Sequence, residues 1–202
     1  MMLSGLGGVM AGCGYSIFDT SLGRCGIAWS QSGIVGVQLP EAREIETRKR
    51  LFQLYPDARE MRPVANVETA IEGIVALLHG ESGDLADVTL DMTGIHAFNA
   101  RVYEFTRTIP RGETLTYGEV AAKLRLSGAV HAVAQALARN PFVIIVPCHR
   151  VLEAGGYADK ISPNGGVISK RRLLSIEGAR GTISSKTLFD VLLPVAPPRP
   201  QG

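Results

Sequence analysis

Short apolar runs separated by glycine dominate the first part of the sequence. They are rich in β-branched and aromatic residues and lie at 15–18, 26–29 and 33–37. Runs of this length, punctuated by turn-forming glycines, are typical of β-strands joined in a meander. The pattern therefore predicts a set of antiparallel strands across 15–39.

Two stretches with helical spacing follow these strands. Residues 41–55 are charged with a few apolar positions and precede a proline, and residues 67–79 place apolar side chains on one face before a glycine. Both patterns predict helices that end where the chain meets a helix-breaking residue. Strands followed by two helices indicate a small α/β unit, and 88–90 is a candidate for one further strand.

Three more helices are predicted in the second half, at 97–108, 116–124 and 129–139. Thr116 and Glu119 have the spacing of a capping box, in which two side chains bond to the backbone N–H groups at the start of a helix. The last two helices are short and are joined by a turn that contains glycine. This combination indicates a helix-turn-helix.

The second helix of this pair is rich in small side chains. Its alanines are Ala129, Ala132, Ala134, Ala136 and Ala138. Periodicity alone leaves two interpretations equally open: small residues allow close packing between helices, and they also let a helix backbone approach a DNA groove. Arg125 and Arg139 lie near the two ends of this helix, where they suit contacts with phosphates.

A candidate nucleophile follows a continuous apolar run. Residues 142–146 lie between two prolines and predict a buried strand or extended segment, and Cys148 and His149 come directly after it. A thiol reacts as the thiolate, which a neighbouring base favours. Adjacent residues of an extended chain point in opposite directions, so His149 reaches the sulfur only if the backbone turns there. The alternative is a buried structural cysteine.

Composition narrows the class of protein without identifying a partner. Apolar residues make up 46% of the 202 residues, enough for a sizeable core, and the net charge of +2 neither requires nor excludes nucleic acid. Three cysteines are an odd number that suits the reducing cytoplasm better than a disulfide framework, and no apolar stretch has the length of a membrane span. Cys13, Cys25, His79 and His96 do not form a metal-binding pattern, so we expect no metal and no other cofactor.

Six short motifs lie in the second half of the chain. They are IPRGE at 109–113, TYGEVA at 116–121, NP at 140–141, PCHRV at 147–151, GG at 165–166 and IEG at 176–178. In order and spacing, the segment 97–178 resembles the C-terminal domain of the O6-alkylguanine-DNA alkyltransferases. The PCHRV motif between NP and EG is highly specific for that family, whereas the first half of the chain resembles the family's smaller domain only in general pattern.

The resemblance implies an α+β fold with two domains. A small N-terminal α/β domain, ribonuclease-H-like, is expected at 15–90. A mainly helical domain at 95–181 would carry the helix-turn-helix and the alkyl acceptor. We expect a flexible leader at 1–14 and a disordered tail at 182–202.

The resemblance also implies roles for five catalytic residues. Cys148 would accept the alkyl group, and His149 would act as its base, either directly or through a bridging water. Glu177 would orient His149, which completes the arrangement of nucleophile, base and orienting group. Tyr117 would donate a proton or hydrogen bond to the guanine ring, and Asn140 would brace the turn that carries the cysteine.

One position departs from the family pattern in the recognition helix. The family usually has an arginine that props open the site of the flipped-out nucleotide, and His131 stands in its place here. Histidine is shorter and largely neutral at neutral pH, and Ala134 adds a methyl group, so we expect weaker nucleotide flipping than usual. The residues expected to contact DNA are Thr116, Arg125, His131, Ala132, Ala134, Gln135 and Arg139.

The base pocket is less well defined by the resemblance. The backbone of Val151 is expected to help recognise the exocyclic amine of guanine. A hydrogen bond to O6 would come from Ser162 or Asn164, between which the sequence does not decide, with Gly165 in the same loop. Arg150 is expected to pair within the domain.

The implied function is irreversible transfer of an alkyl group from O6-alkylguanine in double-stranded DNA, with O4-methylthymine as a further candidate substrate. We expect a monomer without membrane contact, in the cytoplasm or associated with the nucleoid. Three alternatives are a damage sensor, a cysteine hydrolase and a regulatory helix-turn-helix protein. The family's sensor proteins lack the acceptor cysteine, a hydrolase needs an oxyanion hole that the sequence does not show, and a regulator leaves the PCHR motif unexplained.

Overall fold

The computed structural model describes residues 13–83, 85–126, 128–155 and 166–179. The predicted meander is present as three antiparallel strands: β1 (Gly14–Thr20), β2 (Gly23–Ser30) and β3 (Gly33–Gln38). A two-residue strand that the sequence did not predict, β4 (Arg59–Glu60), pairs in parallel with β1. The resulting sheet has the order β3-β2-β1-β4.

Two helices pack on this sheet. Helix α1 (Glu44–Leu54) contacts β2 and β3, where Gly26 has no side chain and Leu51 fills the space. Helix α2 (Ala65–Leu78) lies within the stretch predicted as helical and buries an apolar face formed by Val67, Ala70, Ile74, Leu77 and Leu78. The first half thus combines a sheet with two helices.

The described residues of the second half contain four α-helices. They are α3 (Ala97–Arg107), α4 (Tyr117–Lys123), α5 (Val130–Ala138) and α6 (Gly166–Glu177), of which α6 was not predicted. Thr116 and Glu119 form the predicted capping box at the start of α4. A tight turn joins α4 to α5, and Arg125 in this turn has a φ of 56°, in the left-handed region. Helices α4 and α5 pack against each other, as in a helix-turn-helix.

A second, very short sheet brings distant parts of this half together. Strand β5 (Leu115–Thr116) pairs in parallel with β6 (Val151–Leu152). Strand β5 directly precedes α4, and β6 directly follows Arg150 of the PCHRV motif. The pairing therefore fixes the start of the helix-turn-helix beside the candidate nucleophile.

Apolar side chains from both halves form one continuous core among the described residues. The halves are also joined by polar contacts. The N–H of Val37 donates to the carbonyl of Pro141 over 2.8 Å, and Arg107 donates to three carbonyls between 85 and 88 at 2.7–2.9 Å. The fold is a mixed α/β structure in which the sheet and the helical half are packed directly on each other.

Two segments predicted as extended are not strands. The segment 88–90 makes a single bridge, between Ile34 and Leu90, and 142–146 forms a tight turn. A short apolar run indicates burial, which the structure confirms for 142–146, but periodicity does not distinguish a strand from a buried turn. The predicted leader, apart from residues 13 and 14, and the whole predicted tail lie outside the described residues.

Candidate active site and DNA-binding surface

Cys148 follows a tight, fully buried turn at 142–147. The N–H of Val146 donates to the carbonyl of Phe142 over 2.7 Å, which closes the turn. Ile144 within it has a φ of 76°. A β-branched residue is strained in this region, so the surrounding core must hold the conformation in place.

The buried side chain of Asn140 bonds to both ends of this turn. Its Nδ2 atom donates to the carbonyl of Val146, and its Oδ1 atom accepts from the N–H of Phe142, each over 2.9 Å. The buried N–H of Phe142 depends on this side chain, whereas the carbonyl of Val146 also accepts from the N–H of Cys148 over 2.8 Å. The contacts are those that the predicted bracing role requires.

The backbone turns again at the candidate nucleophile. Residues Cys148–Arg150 form a single 3₁₀ turn after Pro147, which supplies the change of direction that a neighbouring cysteine and histidine need. Both side chains are buried, with Cys148 7% and His149 2% exposed. The turn thus carries a buried thiol and a buried imidazole at consecutive positions of the chain.

One carboxylate bonds to two residues of this turn. Oε1 of Glu177, at the end of α6, lies 2.8 Å from Nε2 of His149 and 2.7 Å from Nη2 of Arg150. Arg150 also donates from Nε to Oε2 of Glu177 over 2.9 Å and from Nη1 to the carbonyl of Ile109 over 2.6 Å. Arg150 therefore pairs within the domain, as expected, and holds the carboxylate in a fixed orientation.

Electrostatics set the protonation states of this cluster. Burial opposes the ionisation of Glu177, but hydrogen bonds from His149 and Arg150 outweigh it and hold the pKa of the carboxyl at about 2. Burial lowers the pKa of His149, although the hydrogen bond to Glu177 opposes this shift. At neutral pH Glu177 is thus ionised and His149 is neutral.

The tautomer of His149 follows from these states. A carboxylate only accepts hydrogen bonds, so Nε2 of His149 carries the proton and Nδ1 holds a lone pair. Nδ1 is buried and makes no hydrogen bond to the part of the chain that the structure describes. This atom can therefore accept a proton from a nearby acid.

The other two cysteines are poor nucleophiles. Burial raises the pKa of Cys25 to about 11, only partly offset by a hydrogen bond with Thr20. Burial and the charges of Asp57 and Asp91 raise the pKa of Cys13. Both residues are therefore thiols at neutral pH, and the thiolate is the reactive form.

Tyr117 lies at the start of α4 and is buried beside a residue that the sequence analysis missed. Nζ of Lys170, on α6, lies 3.4 Å from the hydroxyl oxygen of Tyr117 and 5.6 Å from the centre of its ring. Lys170 is 3% exposed. Its position two helical turns before Glu177, on the same face of α6, is a signal that could have indicated it.

The helix predicted to read DNA presents a polar and small-residue surface to solvent. His131, Ala132 and Gln135 are exposed and Ala134 is half-buried, whereas Ala136 is packed in the core. Close packing therefore accounts for Ala136 and not for the exposed Ala132. Nε2 of His131 lies 2.9 Å from Nε2 of Gln135 on this surface.

The remaining predicted DNA contacts lie around the same helix. Arg125 in the preceding turn and Arg139 at the end of α5 are both exposed, and Thr116 caps α4. In the predicted base pocket, Val151 is buried in β6, directly after the 3₁₀ turn. The other pocket residues, Ser162, Asn164 and Gly165, lie outside the described residues.

Two classes of feature are not found in the described ranges. Residues 13–83, 85–126, 128–155 and 166–179 contain no group of three or more His, Cys, Asp or Glu side chains arranged to hold a metal ion. No helix within them is long and apolar enough to cross a membrane.

Sequence comparisons identify related proteins across most of the chain. The family model described as the DNA-binding domain of 6-O-methylguanine DNA methyltransferase matches residues 97–179. The methylated-DNA–protein-cysteine methyltransferase of Methanothermobacter thermautotrophicus is 35% identical over 153 residues, which cover 76% of this chain and 78% of the relative. The protein of the same name from Mycobacterium tuberculosis is 43% identical over 122 residues, covering 60% and 70%.

Structural comparisons agree with these relatives. The crystal structure of the Mycobacterium tuberculosis O6-methylguanine methyltransferase matches with a TM-score of 0.66 and 33% identity, over 88% of this chain and 99% of that one. The structure of the same organism's OGT in complex with DNA matches with a TM-score of 0.63 and 30% identity, over 83% and 94%. With the motif order, the buried Cys-His-Glu cluster and the helix-turn-helix, these matches show that the chain belongs to the methylated-DNA–protein-cysteine methyltransferase family.

Proposed function

We propose that the chain repairs DNA by transferring an alkyl group from O6 of guanine to the sulfur of Cys148. The observation that carries this proposal is the hydrogen bond between His149 and the ionised Glu177, directly beside Cys148 on the same 3₁₀ turn. It leaves Nδ1 of a neutral imidazole as a base on the residue that follows a buried thiol in the chain. The names of the related proteins indicate the same reaction.

The transfer step follows from the roles of three groups. The proton of Cys148 passes to Nδ1 of His149, directly or through a water, and Glu177 stabilises the resulting imidazolium. A sulfur electron pair forms a bond to the alkyl carbon as the bond from carbon to O6 breaks. The electron pair of that broken bond goes to the guanine, and Tyr117 supplies a proton or hydrogen bond to the ring.

The product explains why each molecule acts once. Cys148 ends as a thioether, whose sulfur is a poor leaving group, and no residue of the site could displace it. The reaction requires no metal and no organic cofactor, since the thiol is the acceptor and the purine is the leaving group.

We infer that the nucleotide is flipped out of the duplex for this reaction. An alkyl group on O6 of guanine lies inside the stacked helix, so the base must be extruded, at a cost of about a few kcal/mol. Helix α5 has small exposed side chains that would let it approach a groove closely, and Arg125 and Arg139 at its ends suit phosphate contacts. We propose that His131, which is exposed on α5, fills the gap with less reach than an arginine.

The proposal extends to the substrates of the protein, its oligomeric state and its location. We propose O6-alkylguanine in double-stranded DNA as the substrate and O4-methylthymine as a second one. The backbone of Val151 and a side chain from the loop with Ser162, Asn164 and Gly165 would complete the pocket. The protein would act as a monomer without membrane contact, in the cytoplasm or on the nucleoid.

We also propose that the two halves of the chain have different roles. We assign 15–90 to a ribonuclease-H-like domain and 95–181 to the DNA-binding and acceptor domain. The sheet order and the parallel β4 support an α/β domain in the first half. Its packing against the turn at 142–147 suits a supporting role, since Val37 bonds to Pro141 just before that turn.

Intact mass spectrometry after incubation with duplex DNA carrying one O6-methylguanine tests the reaction. The protein should gain one methyl group, and peptide mapping should place it on Cys148. Cys148→Ala should gain nothing, whereas Cys13→Ala, which removes a thiol outside the site, should be methylated like the unaltered chain. Undamaged DNA should give no change.

A protein that binds the lesion but stays unmodified would contradict the transferase proposal and favour a damage sensor. Binding should therefore be measured on the same duplexes, by fluorescence anisotropy. Repeated turnover on acyl or alkyl substrates without a stable thioether would instead indicate a hydrolase.

A further inference from the structure

Lys170 is a charged side chain in the protein interior. It extends from α6 and is 3% exposed. Lysine is rarely buried to this extent, because removing an ammonium group from water is costly unless neighbouring groups compensate. Neighbouring groups must therefore stabilise the charge of Lys170.

The phenol of Tyr117 is one of the groups that Lys170 contacts. The ammonium donates towards the hydroxyl oxygen of Tyr117 over 3.4 Å and lies 5.6 Å from the ring centre, within the range of a cation–π interaction. An ammonium can only donate hydrogen bonds, so the Tyr117 oxygen is the acceptor. The hydroxyl proton of Tyr117 is then directed to another acceptor, such as a bound base.

The charge of Lys170 also acts on the base of the reaction. After burial, and against the opposing effect of Glu177, the charges of Arg150 and Lys170 contribute to lowering the pKa of His149. Lys170 therefore lies close enough to influence both the acid and the base assigned to the transfer step.

We propose that Lys170 is a positioning residue for alkyl transfer: it orients the Tyr117 hydroxyl and stabilises negative charge on its oxygen as the guanine departs. This inference rests on the proposed function, because it requires a leaving purine. Lys170 would act on the transfer step through Tyr117 and would not contact the alkyl group.

The step balances without any further reactant. The bond between sulfur and carbon forms, the bond between carbon and O6 breaks, and its electron pair goes to the purine. Tyr117 gives its proton to a ring nitrogen, and the phenolate that develops is stabilised by the hydrogen bond from Lys170. Lys170 keeps its own protons, and Tyr117 regains one from solvent after the base leaves.

Single-turnover kinetics with an O6-methylguanine duplex test the proposal. Lys170→Met, which keeps the length and apolar stem of the side chain, should lower the first-order transfer constant by about 10- to 100-fold, the range for losing a hydrogen bond from a charged donor. The DNA dissociation constant and the thermal unfolding midpoint should be unchanged. Arg171→Met removes the same charge from the next, exposed position of α6 and should transfer at the rate of the unaltered chain.

A double-mutant cycle separates positioning from a structural role. Tyr117→Phe should slow transfer by itself, and adding Lys170→Met to it should have little further effect, because the group through which Lys170 acts is gone. If the two losses multiply, Lys170 acts independently of Tyr117 and the proposal is wrong. Equal rates for Lys170→Met and the unaltered chain would overturn it as well.

A second substrate keeps the test valid if Lys170→Met is less stable. A lesion base with an electron-withdrawing ring substituent leaves as a more stable anion and needs less help from Tyr117. The deficit of Lys170→Met should shrink on this substrate, and an equal deficit on both substrates would refute the proposal. A misfolded fraction would lower the amplitude of transfer and leave the first-order constant unchanged. An unaltered chain that methylates nothing would instead refute the proposed function, and this inference with it.

Discussion

Nε2 of His149 lies 2.8 Å from Oε1 of Glu177, although the two residues are 28 positions apart in the chain. Arg150, the neighbour of His149, bonds to the same carboxylate through two nitrogens. The arginine keeps Glu177 ionised, and burial keeps His149 neutral, so each partner is in the state that a base and its orienting group require.

The pH dependence of transfer should report on His149. Burial lowers the pKa of His149 below its ordinary value of 6.5, so the neutral base persists as the pH falls past 6.5. Between about pH 8 and 5 the transfer rate should therefore fall with a midpoint below 6.5. Single-turnover assays across this range, with circular dichroism to check folding, measure the effect. A midpoint at or above 6.5 would contradict the assignment.

Acid should destabilise the folded chain through Glu177. Its pKa is about 2 in the folded state, against an ordinary 4.5. The unfolded chain binds this proton first, so stabilisation that is complete above 4.5 is lost as the pH falls towards about 2. The expected loss of unfolding free energy is about 2–3 kcal/mol.

Urea unfolding at a series of pH values tests this expectation. Glu177→Gln should lack most of the pH-dependent loss, because its side chain does not ionise. Glu113→Gln, which alters an exposed carboxylate, should retain it. The assignment fails if both variants titrate like the unaltered chain.

Asn140→Ala should be strongly destabilising. The N–H of Phe142 would lose its partner, whereas the carbonyl of Val146 would keep the hydrogen bond from the N–H of Cys148. Leaving one buried donor unsatisfied should cost about 1–3 kcal/mol of unfolding free energy. Asn66 is a matched control, since it makes the same pair of bonds to Thr89 in an exposed setting.

Denaturant unfolding of both variants measures the difference. Asn66→Ala should cost less than about 1 kcal/mol, because water replaces the lost bonds. Equal losses for the two variants would mean that burial of the turn does not determine its dependence on Asn140.

Features that depend on neighbouring residues could be predicted from the sequence. The capping box of Thr116 and Glu119 and the three strands of the meander involve short separations, and the pattern of residues is sufficient to specify them. The family resemblance likewise indicated Cys148, His149 and Glu177, of which His149 and Glu177 are in contact.

Features that depend on distant contacts could not be predicted in this way. Strands β5 and β6 have two residues each, too few for any periodicity, and exist because two distant segments meet. The contact between Lys170 and Tyr117 joins residues 53 positions apart. The positive φ of Ile144 contradicts the local preference of a β-branched residue and is imposed by the core.

His131→Arg should speed alkyl transfer if the side chain at this position holds the flipped-out site open. Arginine reaches further and is always charged, so it should stabilise the extruded state more effectively than histidine. Val130→Arg adds the same charge at the neighbouring exposed position and is the matched control. Both variants should bind DNA more tightly, but stopped-flow measurement with a fluorescent lesion analogue should show faster flipping only for His131→Arg.

Arg125→Gly should separate stability from DNA affinity. Arg125 has a φ of 56°, which costs an arginine about 1 kcal/mol and costs glycine almost nothing, so stability should be kept or slightly raised. The loss of an exposed cation at the start of α5 should weaken DNA binding and reduce the slope of log affinity against log salt by about 0.9, the value for one phosphate contact. Arg125→Lys keeps the charge and should keep the slope, so anisotropy titrations at several salt concentrations compare the three proteins. Reduced stability with an unchanged slope in Arg125→Gly would show that this residue serves the turn and not the DNA.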